Sequence, residues 1–256
     1  MGGMLARKFI ESGKVLPGDV FIHNRTPGKM DDLVNNYRAT GCNDNSEVAE
    51  KSDIIIVCVK PEEVKDVLFE IRSRLNGKKT VVSIASDVPL EKLSEWSGTA
   101  VVRVIPSITS ECMAGVSVLV FGEGVQEAVR EEMLSLFGSI SRPFVTTEDK
   151  ISLMSDLTSS SPAIIVSIMQ QYALAAARKG GILTEDAEFL VRETFIGTAK
   201  LLSGSGYDFG SLISGVATEG GITAEGLAVI EKEIPEVFDQ VLLKMAEKHL
   251  QTSETS

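Results

Sequence analysis

Two runs of β-branched residues, DIIIVCV (53–59) and KTVVSIA (79–85), limit the fold more than any other feature of the chain. Both are nearly continuous apolar stretches rather than alternating ones, the pattern of strands covered on both faces. DVFIHN (19–24), AVVRVI (100–105) and VSVLVF (116–121) are strand candidates of similar length. The segments between them carry helix marks. Pro61-Glu62-Glu63 places a proline and two acids in a first turn, where the fixed φ and the helix dipole favour them. Alternation of this kind predicts an α/β fold with a Rossmann-type, doubly wound parallel sheet over residues 1–147.

After Thr146-Thr147 no further strand-like run occurs, and residues 148–256 read as a second, all-helical domain. A long helical stretch over 148–180 is expected to be interrupted at Ser161-Pro162 and closed by Gly180-Gly181. Thr184 is placed to cap the next helix, with Glu185 and Asp186 in its first turn, and Gly204-Ser205-Gly206 to end it. Pro235 is expected to start the last helix, and the polar tail QTSETS to fray. These helices are too apolar for an isolated domain of about 100 residues, so part of their surface is expected to pack on a second subunit. The longest apolar stretch, AIIVSIMQQYALAAA, is broken by Gln170-Gln171; it is expected to fall short of a membrane span and to be a buried helix. No signal-peptide pattern is seen near the start, and the cytoplasm is the expected compartment.

The formal charge of −11 argues against a nucleic-acid partner, whose phosphates require clustered Lys and Arg. Three scattered cysteines and two histidines offer no zinc spacing and no Cys–His pair, so no metal site is expected; Cys58, inside an apolar run, reads as a small buried hydrophobe. Chemistry must therefore rest on backbone amides and hydroxyls. Gly2 and Gly3 head a helical segment and offer free N–H groups at the positive end of its dipole, a seat for a pyrophosphate, although two glycines at a chain end need mean no more than a loose terminus. About 20 residues past such glycines, a dinucleotide site carries an acid for NAD or an arginine for the 2′-phosphate of NADP. Here stand Asn24, Arg25 and Thr26 with no acid, which favours NADPH over NADH; an ordinary strand-to-turn exit remains the plain alternative. Val59, Lys60 and Pro61 follow DIIIVCV, at a strand's carboxyl end where open α/β sheets bind ligands, a place also open to a solvated lysine. In the helical half, Thr218, Gly220, Gly221 and Thr223 combine a glycine-permitted turn with two hydroxyls. Spacing alone favours a simple cap between helices there, with an anion cradle as the alternative.

Taken together, the stretches MGG-x-LA, NRT, VKP, VVSIA, VRVIP, LTSSSPA, TAKLL and GG-x-T, in this order, resemble the pyrroline-5-carboxylate reductase family over essentially the whole chain. The resemblance implies an NADP-type Rossmann domain and a helical dimerisation domain, hence a homodimer or a larger assembly built from it. It implies NADPH-dependent reduction of a cyclic imine, 1-pyrroline-5-carboxylate to L-proline, as in proline biosynthesis. Thr218, Gly220 and Gly221 would hold the substrate carboxylate across the dimer, and Thr223 would serve as the catalytic hydrogen-bond partner of the imine nitrogen. The departures are Ser107 and Ile108 where the family has Asn and Thr, Ser159 and Ser161 where it has glycines, Ile164 for a tyrosine, Glu219 for a proline, and Asp87 for a glycine. These changes resemble the divergent late-competence, ComER-like branch, so a non-catalytic or regulatory dinucleotide-binding paralogue is the alternative; a reductase of another small imine or 2-oxo acid is a third.

Family members begin with a strand and G-x-G-x-M-G-G. Against that pattern Met1 falls inside the glycine motif, and the strand that feeds it, roughly 5 to 6 residues long, is expected upstream, its absence being the mark of a misplaced start or a truncated chain. Without that strand, DVFIHN and its neighbour are expected to lack a pairing partner, cofactor binding to be weak, and folding poor.

Overall fold

A computed structural model describes residues 1–255, with Pro27 and residues 253–255 described by their backbone alone. Two compact units result: residues 1–160 together with 246–256, and residues 161–245.

In the first unit, α1 (Gly2–Glu11) leads to β1 (Phe21–Ile22), α2 (Asp31–Asn35), β2 (Thr40–Gly41) and α3 (Asn45–Lys51). Then follow β3 (Ile54–Val57), α4 (Pro61–Ile71), β4 (Thr80–Ser83), α5 (Leu90–Ser97), β5 (Val101–Ile105), β6 (Val116–Phe121), α6 (Glu127–Gly138), β7 (Arg142–Val145) and α7 (Ile151–Ser155). The sheet order is β3-β4-β5-β6-β7, and β1 and β2 form a separate parallel pair. DVFIHN therefore has a partner, Phe21 against Thr40 and Ile22 against Gly41, while β1 and β3 are not joined.

Both faces of the five-stranded sheet are covered, as the continuous apolar runs require. Ile55, Val57, Val81 and Val101 pack with Val64, Leu68, Leu93 and Trp96 of α4 and α5. Their neighbours Val82, Val102 and Val104 point the opposite way, into Leu5 and Phe9 of α1 and Met133 and Phe137 of α6, where Phe9 meets Phe137 edge-on. Alternation within each strand thus feeds two cores, the doubly wound arrangement.

The sheet is not parallel throughout: β6 runs antiparallel to β5. Connection 106–115 is a 3₁₀ turn over Ile108–Cys112 with Met113 and Gly115 at positive φ, too short for the helical crossover a parallel neighbour needs. Two strands carry no strong sequence signal. β2 is only two residues long, and β7 contains Pro143 and is largely exposed, which an edge strand tolerates. Cys58, expected to be buried, follows β3 and is solvent-exposed.

The second unit holds α8 (Ser161–Gly180), α9 (Thr184–Gly204), α10 (Phe209–Val216) and most of α11 (Ile222–Thr255). α8 and α9 meet at Ala173, Ala187 and Val191. Several local expectations are corrected. Leu183, not Thr184, is the N-cap of α9, and Thr184 is its first helical residue. Pro235 lies inside α11 rather than at its start; α11 already begins at the turn after Gly221, and the missing proline N–H costs the helix one bond. Residues 251–255 of the expected frayed tail continue α11, and Ser256 lies outside the described residues. The interruption of the long stretch is a π turn over Asp156–Ser160, just before Ser161-Pro162. α7, this turn and α8 run on as one helix, Glu148–Gly180, whose length and composition a core helix of a soluble protein shares with a membrane span; the helix expected to be buried has only 17% of its apolar window buried in the single chain.

Candidate functional site

At its N-terminus α1 offers first-turn N–H groups that have no intrahelical acceptor. A Cβ added at Gly2 would lie 2.8 Å from Cys58 Cβ, so glycine is what lets the helix start approach the end of β3. Gly3 is under no such pressure, its nearest neighbour being Leu33 Cδ1 at 4.0 Å. Cys58 is solvent-exposed at this point, and the neighbouring protein raises its thiol pKa.

The loop after β1 comes to the same place. Asn24 Oδ1 accepts from the Thr26 amide at 2.9 Å, shaping the turn, and Arg25, 87% exposed, reaches Glu63 Oε1 at 2.7 Å. Glu63 Oε2 also accepts from the Lys60 amide at 3.4 Å. One carboxylate at the start of α4 therefore ties the 24–26 loop to the 59–61 loop. Val59 packs on the core, Lys60 is the N-cap of α4 with Nζ 3.7 Å from Glu62, and Pro61 is its first residue. The structure thus brings together Gly2, Arg25 and Lys60, the three segments expected to bind a dinucleotide. No acid stands in the 24–26 loop itself, and the Arg25 guanidinium, although paired with Glu63, stays open to solvent.

Three pairings in the first unit were not anticipated. Ser107 is buried; its hydroxyl donates to Thr158 O at 3.0 Å and accepts from Thr109 Oγ1 at 2.9 Å. Thr158 O is free to accept because the residue four positions on, Pro162, has no N–H; that proline was the available signal. Arg103, 4% exposed on β5, holds Glu148 and the Ser86 carbonyl, and Glu148 also accepts from the Leu90 amide at 3.1 Å. Burial lowers the Arg103 pKa, against the pull of Glu148 and Asp87. Glu63 was visible as a first-turn acid, but its partner Arg25 is 38 positions away in sequence.

In the second unit, Thr218–Gly221 is the turn between α10 and α11. Gly221 N donates to Thr218 O at 2.9 Å, and Gly220 sits at φ +72°, a conformation glycine adopts without strain. A Cβ on Gly221 would lie 2.7 Å from Thr218 Oγ1. Thr223 is in the first turn of α11, so its hydroxyl and the first amides of that helix share one end. Thr218, Glu219, Gly220 and Thr223 are all exposed within the single chain. Among the described residues, no group of three or more His, Cys, Asp or Glu is placed to hold a metal ion.

Comparison with known proteins bears on both units. Residues 148–252 match the family described as pyrroline-5-carboxylate reductase dimerisation, and residues 1–87 the family described as NADP oxidoreductase, coenzyme F420-dependent. Pyrroline-5-carboxylate reductase 3 of Bacillus subtilis is 33% identical over 251 residues, covering 97% of this chain and 92% of that protein. ComE operon protein 4 of the same organism is 31% identical, covering 94% and 89%. The solved structure of a pyrroline-5-carboxylate reductase from Coxiella burnetii superposes with a TM-score of 0.91 at 26% identity, covering 98% of this chain and 96% of that one.

Proposed function

We infer the function from one premise: the chain belongs to the pyrroline-5-carboxylate reductase family. It is an NADP-type oxidoreductase of that family, and the activity inferred for it is the reduction of 1-pyrroline-5-carboxylate to L-proline. When bound, NADPH would supply a hydride for the carbon of the C=N bond, the nitrogen gaining a proton. The chain's own part is to bind and orient. Gly2 and Gly3 would admit the pyrophosphate to the start of α1, Asn24, Arg25 and Thr26 would take the 2′-phosphate end, and Val59, Lys60 and Pro61 would border the cofactor at the end of β3. Thr218, Gly220 and Gly221 would hold the substrate carboxylate through amides and a hydroxyl, and Thr223 would hydrogen-bond the imine nitrogen. The observation that carries this reading is the glycine-built turn that opens α11, where Gly221 packs against Thr218 with no room for a side chain. Because that turn is exposed in one chain, its pocket would be completed by a second subunit in a homodimer. A cytoplasmic enzyme is the corresponding placement.

A second reading, a dinucleotide-binding paralogue without turnover, is favoured by Glu219 inside the anion turn and by the relative from the ComE operon. NADPH oxidation with pyrroline-5-carboxylate, alongside NADPH titration, separates the two. Turnover is expected, with Thr223→Ala lowering kcat about 10- to 100-fold and leaving NADPH affinity unchanged. NADPH binding with no turnover in the unaltered protein would favour the paralogue, and full activity in Thr223→Ala would remove that residue from the mechanism.

A further inference from the structure

Near the end of α11, His249 has a carboxylate on each ring nitrogen: Asp156 Oδ1 is 2.8 Å from Nε2, and Asp87 Oδ1 is 3.4 Å from Nδ1. All three residues belong to the first unit. Asp156 is buried in the π turn, Asp87 is half-buried in the loop after β4, and the imidazole is half-buried between them. A neutral imidazole carries one N–H, and an ionised carboxylate only accepts. Both contacts coexist, with both acids ionised, only if the ring is the doubly protonated imidazolium.

We propose that His249 is a proton-operated latch, which when protonated pins the last turns of α11 between the loop after β4 and the π turn. On deprotonation one of the two contacts must be given up. Burial opposes charge on the ring, but Asp156 and then Asp87 outweigh it and raise the His249 pKa. A further charge facing this group is Arg103 on β5, which attracts Asp87 and holds Glu148; it is cationic throughout the accessible range and so does not itself switch. Glu247 and Lys248 precede His249 in α11 and are exposed. A histidine whose folded pKa is raised stabilises fully below the unfolded value of about 6.5, and that stabilisation is lost as pH rises through the folded value. The latch therefore holds below about pH 6.5 and loosens as pH rises through the raised folded value.

Amide hydrogen exchange of residues 246–252 in the full chain, compared between the unaltered protein and His249→Gln at matched pH, tests this directly. At pH near 6 the variant is expected to exchange about three- to tenfold faster, with the ratio falling toward one as pH approaches 9. A ratio that does not change with pH would overturn the latch. Should the variant fold poorly, the unaltered protein suffices: it has only two histidines, and His23→Gln assigns their NMR signals without touching the latch. The His249 signal is expected to titrate above about 6.5 and to move down in Asp156→Asn; titration at or below that value refutes the proposal.

Discussion

The two units dispose of apolar surface in opposite ways. In the first, Val81 and Val82 are consecutive residues of one strand and both are completely buried, each in a different core. The second buries Ala173, Ala187 and Val191 as its whole interior cluster, while Val166 is 62% exposed, Phe209 77% and Ile222 95%. A sheet with helices on both faces closes its own core. The helices of the second unit leave apolar residues in water, and at about 25 cal/mol per Å² that exposure is a strong drive toward association. The match to a dimerisation family is the counterpart of this imbalance.

That contrast can be broken or sharpened by experiment. Phe137→Ala removes a ring that is fully buried between α6 and α1, and should destabilise the first unit by about 3–5 kcal/mol. Denaturant unfolding should show that loss to be the same at every protein concentration; a concentration-dependent loss would mean the first core is not self-sufficient. Val166→Glu combined with Tyr172→Glu, on exposed positions of α8, should leave the first unit folded and weaken self-association about 100-fold, as seen by sedimentation. Unchanged association would place the contact on another face. The smallest effect is expected where charge, not packing, acts: Arg25→Ala should lower NADPH affinity about fivefold with little change for NADH. Glu63→Gln, which frees the same guanidinium, should move NADPH affinity the other way. Equal losses for both cofactors in Arg25→Ala would end the assignment of that residue to the 2′-phosphate.

Much of this architecture is legible in the order of the residues. DIIIVCV and KTVVSIA announce strands buried on both faces because such strands cannot alternate, and Pro61 announces the helix it begins. The edge strand β7 is not legible, since exposed positions and Pro143 carry the pattern of a loop. Nor is the direction of β6, which depends on how a short connection turns and not on what the strand contains. The residue types of the candidate loops at 24–26 and 59–61, and separately of the turn at 218–223 in the other unit, show in the sequence. What joins the first two of these loops does not, because Glu63 contributes a carboxylate whose partner comes from a different βα turn.

The chain's own sequence determined the doubly wound character of the strand-bearing part and family membership. Periodicity, turn residues and local motifs record what each segment must bury and where it must bend. Only the tertiary structure decided that Arg25 answers to Glu63, that the carbonyl released by Pro162 is taken by Ser107, and that His249 lies between Asp87 and Asp156, 93 positions from the latter. Pairs so distant along the chain leave no periodic trace, because their energy comes from direction and distance in space, which the fold sets only after its elements have packed.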